Sequence, residues 1–148
     1  MSVVLDTSII IPYLGGIAYD RFVWRRLTRD QIYVSAVSGM EILAGSLRPE
    51  QRRQADAFIG ELVRASRFIT PEQDEWLRAG LILARFQNRF GHVDPARHIN
   101  DLLILLAAER LGMVLVTENG EHFRLWSRFR PEPRRPHLMI LNRLEHLN

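Results

Sequence analysis

The sequence contains neither cysteine nor lysine, and these two absences exclude several classes of site. Without cysteine the chain forms no disulfide, no thiolate-bound zinc or iron–sulfur cluster, and has no thiol nucleophile. All 20 basic residues are arginine, which excludes a P-loop lysine, a Schiff-base lysine and phosphoryl-transfer sites that pair lysine with aspartate. No apolar run approaches the roughly 20 residues that cross a bilayer, and the first residues lack the charged start and long apolar stretch of a secretory signal. We therefore expect a cytoplasmic protein that does not contact membranes.

The residues that are present indicate one α/β domain spanning residues 1–148, of which 47% are hydrophobic and 25% charged. Short apolar strands are predicted at residues 2–5, 32–34, 68–69, 113–116 and 137–141. Helices are predicted between them, including one that Thr70 caps with Pro71 in its first turn. Strands alternating with helices predict a mainly parallel central sheet with helices on both faces. Ligands bind such sheets at the carboxyl ends of the strands.

Three acidic residues are expected near those strand ends. Asp6 follows the first strand, Glu41 lies in the helix after the second, and Asp101 begins the helix before the fourth. If the three strands are neighbours in the sheet, the carboxylates meet and repel one another, and no lysine is present to neutralise them. Only a cation, an arginine or protonation would then make the cluster tolerable. Mg²⁺ or Mn²⁺ would remove that repulsion and could activate a water molecule for phosphodiester hydrolysis.

Each acid also has a local structural explanation. Asp6 could cap the first helix, Glu41 matches a capping box with Ser38, and Asp101 could complement a helix dipole. These alternatives stay open for any acid taken alone.

Three segments in order resemble the PIN-domain ribonucleases, particularly the VapC-type toxins of bacterial toxin–antitoxin pairs. VLDTSIIIPYL is similar to the opening strand and first aspartate of that family, VSAVSGMEILAG to its second block, and INDLLILLAAERLGMVLVTENGEHF to its third. The resemblance covers essentially the whole chain. It implies a single PIN-like domain with Mg²⁺- or Mn²⁺-dependent endoribonuclease activity, and Asp6, Glu41 and Asp101 as metal-binding catalytic acids. It also implies an RNA substrate, a cognate antitoxin protein and a homodimer.

The fourth acidic position of the family pattern is missing. Asn119 stands at the usual polar site, where it could supply a carbonyl oxygen or hold a water molecule and so belong to the catalytic set. It could equally be a left-handed turn residue before Gly120. We expect His122, where an acid is frequent in the family, to be solvated or hydrogen-bonded rather than a metal ligand.

The charge balance favours a polyanionic partner. Setting aside the three acids leaves 14 acidic residues against 20 arginines, a balance of +6. Arg97 and Arg124 are the first candidates for phosphate contacts, followed by Arg134 and Arg135, although any of them could simply form a surface pair.

The second helix carries apolar Phe22, Val23, Trp24 and Leu27, which either pack in the core or leave a groove for a partner peptide.

Two other functions compete with a nuclease. A PIN-like RNA-binding or interaction module with a degraded site would fit the missing fourth acid. A phosphatase or phosphoacceptor function of the LDTS segment is disfavoured, because the haloacid-dehalogenase phosphatases need a second aspartate where Ser8 stands.

Overall fold

A computed structural model describes residues 1–130 and 135–148 and consists of a five-stranded sheet with flanking helices. The strands are β1 (Val3–Leu5), β2 (Ile32–Ser35), β3 (Phe68–Ile69), β4 (Val114–Thr117) and β5 (Leu138–Ile140). The α-helices are α1 (Thr7–Leu14), α2 (Asp20–Leu27), α3 (Ala36–Gly45), α4 (Pro49–Arg64), α5 (Gln73–Phe90), α6 (Ile99–Arg110) and α7 (Gly120–Ser127). Short 3₁₀ turns occur at Pro95–Arg97 and Arg143–His146. Within the described residues, no helix is both long and apolar enough to cross a membrane.

The sheet is parallel throughout, with the strand order β3-β2-β1-β4-β5. Strand β1 is central, and Val3 pairs with Ile32 of β2 on one side and with Val114 of β4 on the other. The predicted α/β fold with a parallel sheet is therefore confirmed. Because β1, β2 and β4 are neighbours, their carboxyl ends open onto the same edge.

Two apolar clusters cover the two faces of the sheet. Val4 and Leu115 pack with α5, α6 and α7, whereas Val3, Leu5 and Val116 pack with α1, α2 and α4. Successive strand residues alternate between the clusters because side chains along a strand point to opposite faces. Both faces are buried, which explains why β1 is apolar at every position.

Helix α5 begins later than the sequence predicts. Its N-cap position is Glu72, whose backbone N–H donates to Glu75 Oε2 at 2.6 Å, so Thr70 is not the cap. Arg110 explains the difference, because it donates to both Glu75 Oε1 (2.7 Å) and the carbonyl of Thr70 (3.1 Å). This tertiary contact overrides the local capping signal of Thr70 and Pro71.

Helix α7 was not predicted from the sequence. The Asn-Gly pair after β4 indicates a turn, and the sequence RFRPEPRRP at residues 128–136 indicates a basic, proline-rich loop after it. Phe123 and Trp126 of α7 are fully buried and belong to the apolar cluster with α5 and α6, which stabilises the short helix. Part of the predicted loop, including Arg134, lies outside the described residues.

Candidate active site

A cleft of about 560 Å³ opens at the carboxyl ends of β1 and β4. Its walls come from α1, α3, α6, the start of α7 and the C-terminal 3₁₀ turn. It is lined by Asp6, Thr7, Ser8, Ile11, Pro12, Met40, Glu41, Ala44, Asp101, Asn119 and Arg143. The fold thus brings all four sequence-predicted site residues, Asp6, Glu41, Asp101 and Asn119, into one cleft.

The side chain of Asp6 belongs to this cleft and does not cap the first helix. Asp6 occupies the N-cap position of α1, but its carboxylate makes no capping hydrogen bond. Instead, Oδ2 accepts hydrogen bonds from Ser8 Oγ (2.7 Å) and from the buried Thr117 Oγ1 (2.8 Å) at the end of β4. Only 4% of the residue is exposed. Two hydroxyl donors therefore stabilise a buried carboxylate and hold its orientation.

The carboxylate of Glu41 is also held by residues far away in sequence. Thr7 Oγ1 donates to Oε2 at 2.5 Å, and Asn100 Nδ2 donates to Oε1 at 2.8 Å. The cap of α3 is Ser35, whose Oγ accepts from the backbone N–H of Val37 at 3.2 Å. The capping-box explanation of Glu41 therefore does not apply.

The pKa of the Asp101 carboxyl group is affected by the charges of Asp6 and Glu41. Burial, the negative charge of Asp6 and the more weakly coupled charge of Glu41 raise its pKa to about 6, which the nearby His122 only partly opposes. Like charges in a partly buried site disfavour a further negative charge. This mutual repulsion is the electrostatic signature of carboxylates that share one site.

The fourth position is formed by Asn119 and His122. Asn119 precedes α7 with φ −101°, so it is not in the left-handed turn conformation, and its side chain does not cap the helix. It lines the cleft. His122 Nδ1 lies 3.1 Å from Asp101 Oδ2, in line with the expectation of a hydrogen-bonded histidine.

Arg143 is a cleft residue that sequence reasoning missed. Its guanidinium donates to both carboxylate oxygens of Glu118, from Nε at 2.8 Å and from Nη2 at 2.9 Å. Arg97 and Arg124, the arginines favoured from sequence, do not line the cleft. The C-terminal segment around Arg143 has no helical or strand periodicity, so nothing in the sequence connected it to the site.

The donor set suits a hydrated divalent cation. Carboxylate and amide oxygens are the ligands that Mg²⁺ and Mn²⁺ accept, and three carboxylates line the cleft. Among residues 1–130 and 135–148, however, no three acidic or histidine side chains are spaced to ligate one ion together. Mg²⁺ keeps several waters and takes only one or two carboxylates directly, so the residues present fit such an ion.

A second, larger concavity of about 1250 Å³ lies between α1, α2 and α4. Val23 of α2 is fully buried, whereas 65% of Trp24 is exposed at this concavity. The apolar residues of α2 are therefore divided, with one side packed in the core and the other open to solvent. We call the open surface the α2 groove.

The PIN domain family model matches residues 3–125, and no curated protein sequence matches the chain significantly. The fold is similar to a chain of VapBC-1 from nontypeable Haemophilus influenzae (TM-score 0.65, 21% identity, 95% of this chain and 98% of that chain covered). It is also similar to chains of DNA-bound VapBC from Salmonella typhimurium (0.63, 20%, 95% and 97%) and of VapBC-5, a toxin–antitoxin family member from Mycobacterium tuberculosis (0.56, 19%, 95% and 98%). The structural likeness supports a shared fold, and the match over residues 3–125 establishes that this chain belongs to the PIN-domain family.

Proposed function

We propose that this chain is a metal-dependent endoribonuclease that hydrolyses RNA phosphodiester bonds. The observation that carries the proposal is the shared cleft of Asp6, Glu41 and Asp101, in which burial and the other two carboxylates raise the pKa of Asp101 to about 6. A bound cation would reduce the repulsion among three acids in one cleft and so stabilise the folded chain.

The chain's own residues would orient the reaction. Asp6, Glu41 and Asp101 would hold a hydrated Mg²⁺ or Mn²⁺, one or two of them directly and the others through water, and the ion would supply an acidic water molecule and positive charge beside the phosphate. Thr117 and Ser8 fix the rotamer of Asp6, and Asn100 fixes that of Glu41, through the hydrogen bonds described above. The Asn119 amide can accept from or donate to a water molecule at the rim.

A cleavage assay tests the nuclease. Purified chain is incubated with single-stranded RNA in Mn²⁺, in Mg²⁺ and in chelator, and the products are resolved by length. We expect cleavage that chelator abolishes, and a loss of at least about 100-fold for Asp6→Asn, because a neutral amide replaces a carboxylate that holds the cation. Asp56→Asn is the matched control, because Asp56 is an exposed aspartate of α4 paired with Arg52. Equal cleavage by Asp6→Asn and by wild type would contradict the proposal.

We further propose that the nuclease is the toxin of a VapBC-type pair and acts in the cytoplasm. The α2 groove, with Trp24 at its edge, is the surface offered to the antitoxin. Co-expression with the product of an adjacent small open reading frame should give a co-purifying complex, and Trp24→Glu should weaken it. A complex that forms equally well with Trp24→Glu would argue against this surface.

A homodimer is part of the same proposal. Trp76, Leu77 and Leu81 are each more than half exposed and lie on α5, which gives that helix an apolar outer surface suited to a second copy. Light scattering should report twice the monomer mass for wild type and the monomer mass for the double variant Leu77→Glu, Leu81→Glu. Monomeric wild type would refute the dimer.

An inactive PIN-like module that binds RNA or a protein is the alternative function. Two observations favour it: Asn119 and His122 replace the fourth acid, and Asp6 and Glu41 already accept hydrogen bonds from their own chain. This alternative predicts RNA binding that persists in chelator and no cleavage with Mn²⁺, so the assay above distinguishes the two.

A further inference from the structure

Arg143 is the only arginine that lines the acidic cleft among the residues the structure describes. Three carboxylates repel a phosphodiester that approaches this cleft. A fixed guanidinium at the cleft would offset that repulsion and attract an anionic substrate. A guanidinium fork also matches phosphate geometry. The position of Arg143 therefore calls for an explanation beyond that of a surface ion pair.

The side chain of Arg143 is held firmly. Glu118 accepts from Nε and Nη2, and Tyr19 Oη donates to the same Glu118 at 2.6 Å. Although burial opposes ionisation, the hydrogen bonds from Arg143 and Tyr19 lower the pKa of Glu118, so it remains a carboxylate. Nη1 takes no part in the pair with Glu118, and 44% of the Arg143 side chain is exposed.

The backbone on both sides of the pair is fixed as well. The N–H of Leu144 donates to Asn142 Oδ1 at 3.1 Å, and the N–H of Tyr19 donates to the carbonyl of His146 at 2.8 Å. These contacts tie the 3₁₀ turn that carries Arg143 to the start of α2. The cost of immobilising a long side chain on binding is therefore already met in the free chain.

Glu118 is connected directly to the acidic site. Its backbone N–H donates to Ser8 Oγ at 3.0 Å, and Ser8 Oγ donates to Asp6 Oδ2 at 2.7 Å. The guanidinium is thus held by the same strand end that orients Asp6. An isolated surface pair has no such link and contributes little.

We propose that Arg143 binds a phosphate group of single-stranded RNA beside the bond that lies over the three acids, and that Glu118 is its positioning residue. This inference rests on the proposed function for the identity of the substrate. Nη1, which does not bond to Glu118, faces the phosphate while Glu118 keeps the fork in place. Arg143 contributes binding of the substrate backbone and not base recognition.

The test is the salt dependence of RNA binding in chelator, where no metal-dependent cleavage occurs. Fluorescence anisotropy of a short labelled single-stranded RNA gives the affinity at several salt concentrations. Arg143→Gln should bind on the order of tenfold more weakly at low salt, and its log–log salt slope should fall by about 0.7, the value for one lost phosphate contact. Arg52→Gln is the matched control, because Arg52 is another carboxylate-paired arginine that does not line the cleft.

A purely structural role gives a different result. Glu118→Gln breaks the same ion pair but leaves the cation, so it should lower the melting temperature and keep the wild-type salt slope, and it should weaken RNA binding at every salt concentration because the fork is no longer held in place. Identical slopes for Arg143→Gln and Arg52→Gln would overturn the inference. If Arg143→Gln does not fold, Arg143→Lys must keep the wild-type slope but bind more weakly at every salt concentration, and wild-type affinity would refute it.

Failure of this inference and failure of the proposed nuclease give different results. RNA binding that depends on Arg143, with no cleavage in Mn²⁺, would support the phosphate contact and refute the proposed nuclease. Cleavage together with an unchanged salt slope for Arg143→Gln would keep the nuclease and refute the phosphate contact of Arg143.

Discussion

Replacing Asp101 with asparagine should stabilise the metal-free chain at neutral pH. The pKa of Asp101, raised to about 6 by burial and by Asp6, lies above the ordinary 3.8, so the folded chain binds more protons than the unfolded chain between these values. Stability therefore falls as pH rises from about 4 to about 6 and stays low above that range. A pKa shift of about two units lowers the free energy of unfolding by at most about 3 kcal/mol. Because Asp101 is partly exposed, we expect a loss of ~1–2 kcal/mol.

Urea unfolding followed by circular dichroism, in chelator, measures the effect. At about pH 7.5 the free energy of unfolding of Asp101→Asn should exceed that of wild type by ~1–2 kcal/mol, and near pH 4.5 this difference should shrink to about a third. Asp56→Asn, which removes an exposed carboxylate paired with Arg52, should cost a few tenths of a kcal/mol at either pH. A destabilised Asp101→Asn at neutral pH, or a difference that does not change with pH, would refute the argument that the acids repel one another.

The remaining predictions concern the cation, the packing of α3 and the support of Asp6. Millimolar Mn²⁺ should raise the melting temperature of wild type at neutral pH but not that of Asp6→Asn in a thermal-shift assay; equal shifts would place the ion elsewhere. Gly39→Ala should cost ~1–3 kcal/mol in urea unfolding, because a Cβ there would lie 2.4 Å from Phe68 Cζ, whereas Gly80→Ala in α5, with open space at that position, should stabilise by ~0.5–1 kcal/mol. Matching effects of the two glycine variants would contradict this packing. Thr117→Val should lower the cleavage rate about tenfold, because Asp6 loses one of its two hydroxyl donors and the backbone N–H of Asn119 loses its acceptor, and an unchanged rate would show that Ser8 alone suffices.

Much of the fold could be predicted from local patterns. The strand before Asp6 is apolar at every position because both of its faces are buried, and Ser35 caps α3 as its position after β2 indicates. The local rules failed where a distant residue competes. Arg110 draws Glu75 and the carbonyl of Thr70 together and moves the start of α5.

The candidate site was predicted only in part. The alternatives for Asp6 and Glu41 could not be separated in the sequence, because an N-cap aspartate and a cleft aspartate occupy the same place before a helix. The structure separates them through partners that are remote in sequence, Thr117 for Asp6 and Asn100 for Glu41. The roles of Asp6, Glu41, Asp101 and Asn119 in binding metal and in catalysis stay predictions until the assays above are done.

By itself, the sequence determined the classes of chemistry that the missing cysteine and lysine exclude, the alternation of strands and helices, and the order of the acidic segments. Only the tertiary structure decided that Arg143, rather than Arg97 or Arg124, stands in the cleft, and that Asp101 carries a raised pKa. The physical reason is the range of the forces involved. Backbone propensity and apolar periodicity act between near neighbours in the chain, whereas charge repulsion and hydrogen bonding depend on distances that exist only after β1, β2 and β4 have paired.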